Sequence, residues 1–481
     1  MGDQEKEPRR FGKTLKIMLC SFCAALVLLS GIVALIMFRP RASDGPATAV
    51  ASETQPSESV PPDSAPLMGS EDREMPGVQA PSAEAQESSG AQAPPDEEAL
   101  AETQAPSSMA QESSGAQETG LDFVRRSALE IELSWMSVEL DQGQVESYLL
   151  KRRNTENNEG IGAWELLREV SPDGLNGDGL LTAVDTLEND EPQQYEYRVD
   201  MKVVDDHGLV VVEGTPILAS NQMVCIDPGH YGGVNAITGE EAYGYAEGDF
   251  TLELSLKLKA FLKEYYGIDA CMTRDSASIM IDGYADAALD NTALALRGEY
   301  AARYGSDLFV SVHTNANEEG ANGYDTCMQP VSLNKTVIIV NQPARASDPV
   351  IHMCNVIGEC LALESFQMGL STVEHFNAVD KNELSEWSES YNDGLEQAGT
   401  VVFRDWNGQD YYGVLRGAAN ENIPGMIIEH GMHTIPEMRR QAMTGDLSDA
   451  WAWADAFGIA CGFGFIEEEE YVLYEMWKPA G

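Results

Sequence analysis

Three short apolar runs in this 481-residue chain each end in a side chain that can bind a metal or move a proton. Met223–Ile226 leads into Asp227-Pro-Gly-His230, Leu308–Val312 into His313, and Gly425–Ile428 into Glu429. In open α/β sheets, sites form beyond the carboxyl ends of strands, so three such endings can converge. A fourth group, Glu247, stands just before a candidate helix that starts at Asp249. Two His and one Glu are a usual ligand set for a catalytic zinc, with one position left to water. Neutral imidazoles and a single carboxylate leave net positive charge at the ion, which lowers the pKa of bound water to about 7 and polarises a carbonyl. A separate carboxylate must then take the water proton and pass it to the leaving nitrogen, and Glu429 can fill that role.

These groups need rigid elements to hold them. From Gln222 to about Phe465 the pattern is mixed α/β, with a further candidate strand at Ile268–Met272. Candidate helices are Asp249–Tyr266, stopped by Gly267, Thr292–Tyr304, stopped by Gly305, and Asp446–Phe457. Leu252, Leu254, Leu256 and Leu258 alternate as in a strand, but Phe250, Leu254, Leu258, Phe261 and Tyr265 keep helical spacing over a longer stretch, which favours helix.

The motifs become specific when taken together. Asp227-Pro-Gly-His230-Tyr-Gly-Gly is followed by Glu247, Met272-Thr-Arg-Asp275 and Ser311-Val-His313-Thr-Asn315-Ala-Asn317. Leu415-Arg-Gly-Ala and Ile428-Glu429-His-Gly come last. In order and rough spacing, over about half the chain, these resemble the zinc N-acetylmuramoyl-L-alanine amidases. The resemblance implies that His230, Glu247 and His313 hold Zn2+, that Glu429 is the catalytic acid/base, and that peptidoglycan is the substrate. It also implies a mixed sheet flanked by helices on both faces. Asp227, Asn315, Arg274 and Arg297 are candidates for an outer or substrate-contacting role. Asp227 is placed to orient His230, whereas ion pairing or capping is the simpler account of Arg274 and Arg297.

Two departures from the family pattern stand out. His430-Gly431-Met432-His433 follows Glu429 where the family has Gly-Phe and soon afterwards Asn, and no ligand argument attaches to either histidine. Glu318 to about Gly413 reads as a long insertion over or beside the groove, with Asn377–Glu396 rich in Asp, Glu, Asn and Ser. The string Ser332-Leu-Asn-Lys335 lacks the S-D-N and K-T-G partners of penicillin-binding enzymes. No H-E-x-x-H occurs, so a zincin protease lacks its motif.

The remaining sequence sets the surroundings. Seventy-nine acidic side chains against 30 basic give a net charge of −49, which argues against nucleic acid as a partner. Residues 17–38 are nearly all apolar or small, long enough to cross a bilayer core of about 30 Å. Lys6, Arg9, Arg10, Lys13 and Lys16 precede that run and outnumber Arg39 and Arg41 behind it. The sequence therefore predicts a cytoplasmic tail at 1–16, an uncleaved single-pass anchor at 17–38 and an outward-facing remainder. Residues 39–120 are rich in Ala, Ser, Pro, Gln and Glu, repeat AQESSGAQ at 85–92 and 110–117, and read as a disordered acidic linker. Short alternating segments over 121–221 suggest an all-β sandwich, and its Leu-x-Trp135 and Tyr195-x-Tyr-Arg-Val199 strands resemble a fibronectin type III module. Residues 222–466 would be the zinc amidase domain and 467–481 an acidic tail. The expected fold class is α/β, a mixed sheet flanked by helices, with a smaller all-β sandwich, one transmembrane helix and a disordered linker. Eight cysteines show no paired CxxC outside the membrane run, which disfavours a thiolate zinc site and leaves buried thiols and one or two disulfides both open. Alternative functions are a zinc peptidase acting on another wall bond, an inactive wall-binding protein, and a tether whose function lies in the β module.

Overall fold

The computed structural model describes residues 119–155, 162–395, 397–466 and 474. Among the described residues no helix is long and apolar enough to cross a membrane. The expected span at 17–38, the tail before it, most of the linker and nearly all of 467–481 lie outside the described residues.

The first eight strands form two antiparallel sheets. One joins β1 (Asp122–Ser127), β2 (Glu130–Met136) and β5 (Leu180–Thr186). The other runs β4 (Glu165–Val170), β3 (Gln144–Asn154), β6 (Gln194–Asp205) and β7 (Gly208–Val212), with β8 (Ile217–Ser220) also paired to β6. Alternation places Ile131, Leu133 and Trp135 of β2 at 0% exposure, while Glu130 and Met136 face water. Tyr148, Leu150, Tyr197 and Val199 come from the second sheet to complete that core.

The larger sheet has the order β10 (Asp269–Met272), β9 (Met223–Pro228), β13 (Leu308–Asn315), β20 (Gly425–Met432), β14 (Val337–Val340), β17 (Gly399–Phe403) and β15 (Phe376–Asn377); β16 (Ser385–Glu386) also pairs with β17. Two small hairpins stand apart, β11 (Met280–Ile281) with β12 (Tyr284–Ala285) and β18 (Asp405–Trp406) with β19 (Gln409–Asp410). The sheet is mixed, because β14 runs antiparallel to β20 while its other neighbours in the path pair in parallel.

Helices cover both faces. Helix α1 (Glu247–Tyr266), α3 (Asp348–Gln367) and α5 (Asp446–Gly462) share one core with Val224, Ile226, Val310, Val312 and Ile428. The helical spacing in α1 is therefore the one that prevails. Leu254, Leu258 and Leu262 are each 0% exposed, which contributes about 1.5–3 kcal/mol apiece. Gly267 ends α1 in the left-handed conformation at φ 60, donating to the Leu262 and Lys263 carbonyls. On the opposite face α4 (Gly413–Asn420) packs with Cys225, Phe309, Ile339 and Ile427, and α2 (Ala295–Glu299) packs against α4. A Cβ on Gly298 would lie 2.0 Å from the Val414 carbonyl oxygen, so only glycine lets these two helices approach so closely.

Two sequence expectations change. The helix expected over Thr292–Tyr304 is split into α2 and a 3-10 turn over Tyr300–Tyr304. Residues 318–413 are not one insertion lying beside the groove: Val337–Val340 is an interior strand with all four residues buried, α3 is a core helix, and β17 extends the sheet. The six cysteines beyond residue 224 are thiols, Cys327 half-buried and the other five buried.

The two β-sheets and the α/β sheet are joined through Arg125, which is 5% exposed. Its guanidinium donates to the Asn221, Tyr304 and Gly305 carbonyls and pairs with Asp307 at 3.2 Å. Lys263 at the end of α1 donates to the Phe123 carbonyl, and Gln194 donates to the Tyr266 carbonyl. Arg125→Ala strands three carbonyls that the sandwich now satisfies, and is expected to cost on the order of 2 kcal/mol. A lowered urea midpoint with an unchanged slope would show it.

Candidate metal centre and active site

The carboxyl ends of β9, β13 and β20 lie side by side. Ser311 pairs in register with Asp227, and His313 with Glu429. His313 and Glu429 thus sit on adjacent parallel strands about 4.8 Å apart. His230 lies just beyond β9 with φ 58, a conformation costly for a non-glycine residue and typical of functional sites. Gly229 makes room for the second histidine: a Cβ there would meet the His313 ring at 2.6 Å. Glu247 is the first residue of α1, where the helix dipole and the Thr314 N–H, at 3.0 Å from Oε1, favour its charged form.

His230, Glu247 and His313 form a group that could hold a metal ion, since one ligand atom from each lies within 4.8 Å of the others. His230 Nε2 is 3.3 Å from Glu247 Oε2, and His313 Nδ1 is 3.1 Å from Glu247 Oε1. The donor set, two imidazoles and a carboxylate, fits zinc. Glu429 adds a half-buried carboxylate whose buried Oε2 has no hydrogen-bond partner, so it keeps a lone pair for water or substrate.

The electrostatics follow from burial and from these contacts. Burial opposes the Glu247 charge, but hydrogen bonds from His230 and His313 outweigh it and hold its carboxyl well below the usual range. Burial also opposes a charge on His230, yet its contacts with Asp290 and Glu247 win and push it up to about 10. Burial, reinforced by the Glu247 charge, pushes Glu429 up to about 8. An ion taken up by this group therefore displaces protons.

Asp227 does not orient His230. It is fully buried and receives hydrogen bonds from Arg297, Thr273 and Ser311, which together hold it below the ordinary carboxylate range against its burial. The partner of His230 is Asp290, which accepts from Nδ1 at 3.1 Å and is itself held by Arg297 at 2.8 Å. This fixes the His230 ring and leaves Nε2 facing Glu247. Asp290 lies 60 residues away in sequence, and no motif marks it. If the group holds a metal, Asp290→Ala is expected to weaken its binding by about 10–100-fold, read by competition with a chromophoric chelator.

Arg274 is structural. It is 4% exposed and donates to the carbonyls of Pro228, Gly229, Gly248 and Ser276, fastening the loop after β9 to α1. Arg297 pairs with Asp227 and Asp290, as the simpler reading has it. Asn315 accepts from Asn392 at 3.3 Å, and its carbonyl accepts from His433 N–H. Asn235 is a further residue at the site that the sequence did not mark: its amide donates to Glu247 Oε2 at 2.7 Å.

The two histidines after Glu429 are buried supports. His430 Nε2 meets Asp455 at 2.8 Å and its ring stacks on Trp451. His433 stacks on Tyr245 and lies 3.9 Å from Glu247 Oε2, and burial lowers its pKa.

Residues 224–461 match the N-acetylmuramoyl-L-alanine amidase family. They form an amidase domain of that family. Solved structures similar to this chain include Cwp6 from Clostridium difficile, at 21% identity and a TM-score of 0.34, covering 50% of this chain and 29% of that one. Another is the N-acetylmuramoyl-L-alanine amidase AmiC2 of Nostoc punctiforme, at 19% identity and a TM-score of 0.33, covering 50% and 97%. A third is the catalytic domain of the amidase CwlV from Bacillus (Paenibacillus) polymyxa, at 16% identity and a TM-score of 0.32, covering 50% and 96%. No curated protein sequence matches the chain. The amidase domain contains every residue of the candidate centre: His230, Glu247, Asp290, His313 and Glu429.

Proposed function

We propose that the amidase domain hydrolyses the amide between N-acetylmuramic acid and L-alanine in peptidoglycan, with zinc held by His230, Glu247 and His313. The observation that carries this reading is the gathering of those three side chains beside the unpartnered oxygen of Glu429. Zinc bound there would supply a Lewis acid and would make water available as a nucleophile near neutral pH. Glu429 Oε2 takes the proton of the attacking water and returns it to the departing amine nitrogen. Asp290 keeps His230 in one tautomer through Nδ1, and the Thr314 N–H fixes the Glu247 carboxylate. Residues 17–38 are read as a single-pass anchor that holds this domain outside the cell membrane, with the β module and the linker as a spacer.

The test is the metal content of the purified full-length protein together with the products it releases from peptidoglycan. About one zinc per chain and new L-alanine amino ends support the proposal. Zinc with other new ends indicates another wall bond. Zinc without cleavage indicates a binding protein. Failure to bind zinc overturns the proposed site.

A further inference from the structure

Two thiols of the larger sheet face each other. Cys225 on β9 is level with Cys271 on β10, which runs parallel beside it. Side chains alternate along a strand, and the neighbours Val224 and Ala270 belong to the core under α1, α3 and α5. Cys225 and Cys271 both belong to the core on the opposite face, with Ala301 and Phe309. Level residues on adjacent strands lie about 4.8 Å apart, inside the range of about 4.4–6.8 Å between Cα atoms that a disulfide spans. Among the described residues no other two cysteines stand on paired strands: Cys327 is in irregular chain, Cys354 and Cys360 are on α3, and Cys461 is on α5.

The two thiols differ in access. Cys225 is 0% exposed. Cys271, at 8%, lines a cleft of about 840 Å³ between β1 and the edge strand β10, whose other walls include Arg125, Asp269, Tyr300 and Asp307. They also differ in chemistry. The Cys225 thiol donates a hydrogen bond to the Cys271 sulfur, which lowers the Cys271 pKa and raises that of Cys225. Burial opposes a thiolate at Cys271, but the Ser306 hydroxyl, 3.6 Å from Sγ, and the charge of Lys259 support it. The thiolate is the attacking form of cysteine, so the sulfur that can be reached is also the nucleophilic one, and a second sulfur stands behind it. A cysteine packed only as a small apolar group needs no such neighbour.

We propose that Cys225 and Cys271 are a reversible disulfide site, oxidised by low-molecular-weight disulfides that enter the cleft. The Cys271 thiolate attacks one sulfur of R–S–S–R and expels R–S⁻. Cys225 then loses its proton, attacks the Cys271 sulfur of the mixed disulfide and expels the second R–S⁻. The protein gives up two electrons and two protons, and the reagent leaves as two R–SH. The new bond fastens the open edge strand to β9, the strand that runs into His230. The inference makes no use of the amidase reading, and its test reads thiols rather than turnover.

The full-length protein is incubated with glutathione disulfide, quenched in acid, alkylated and mapped by mass spectrometry of its peptides. In the wild type the Cys225 and Cys271 peptides should be found joined, with both thiols lost together, and dithiothreitol should restore them. Cys225→Ser should stop at a glutathione adduct on Cys271, because the second attacker is gone. Cys271→Ser should leave Cys225 unmodified, because no reagent reaches it. A wild type that keeps both thiols, holds glutathione on Cys271 without forming the link, or joins either cysteine to a different one overturns the proposal, whether or not the variants fold. A glutathione adduct on Cys225 in a Cys271→Ser protein whose thermal midpoint matches the wild type overturns it as well.

Discussion

On the proposed reading, Glu429→Gln is expected to retain zinc and to lose turnover by about 10²–10⁴-fold, the usual worth of a positioned proton-transfer group. The two effects separate because Glu429 is on β20, whereas the three candidate ligands come from the loop after β9, the start of α1 and the end of β13. Glutamine preserves the shape of a side chain whose Oε2 has no internal partner, so little folding cost accompanies the loss of the base. Metal analysis and release of L-alanine ends on the same sample check both halves. Near-normal turnover would remove Glu429 from the proposed role. The metal-free protein provides a second signature. Glu429 is pushed up to about 8, so between its ordinary value of 4.5 and 8 the folded chain holds a proton that the unfolded chain releases. Its contribution to stability is present below that window and is lost as pH rises through it. Urea midpoints of the chelated wild type should fall across pH 5–8 more steeply than those of Glu429→Gln.

Glu247→Gln has the larger consequence for metal. The carboxylate is 2% exposed and touches both histidines, so its charge holds the donor set together. On the proposed reading, neutralising it should lower zinc affinity by more than the about 10–100-fold that loss of an outer partner costs, and turnover should fall to background. It also removes a negative neighbour that raises both His230 and Glu429. The His230 and Glu429 pKa values should therefore both fall in the metal-free variant, as imidazole NMR titration would record for His230. Retention of full zinc by Glu247→Gln would transfer the ligand role to another carboxylate.

The parts of the site that could be read from the sequence are those that end a regular element. His230, His313 and Glu429 each close an apolar run that period and punctuation mark, whereas Glu247 stands just before the expected helix start at Asp249 and takes its candidate ligand role from the family resemblance. Asp290 could not be found in this way. It lies in irregular chain between β12 and α2, and tertiary packing alone brings it to His230. Asp227 misled for a related reason: it stands three residues from His230, but its side chain turns inward to Arg297 and Ser311. The sheet was partly hidden as well. Val337–Val340 is a four-residue run, too short for periodicity to separate strand from helix, and the polar sequence around it made an interior strand look like part of an insertion. His430 and His433, which departed from the family pattern, turn out to be packed against Trp451 and Tyr245, so the departure lies in the support of the site.

The Arg125 junction bears on how this protein can be divided or recombined. Boundaries between modules are often treated as seams where one cassette can be exchanged for another. Here the seam at residue 221 is bridged by an arginine donated from the first strand of the upstream cassette, and its acceptors include the Asn221 carbonyl at the boundary and those of Tyr304 and Gly305 far downstream. A replacement module grafted at that point would have to supply an equivalent cation in register, or leave carbonyls stranded next to the strand that carries His313. The two modules are therefore packed as a pair, and a unit moved with that junction intact would begin ahead of Asp122.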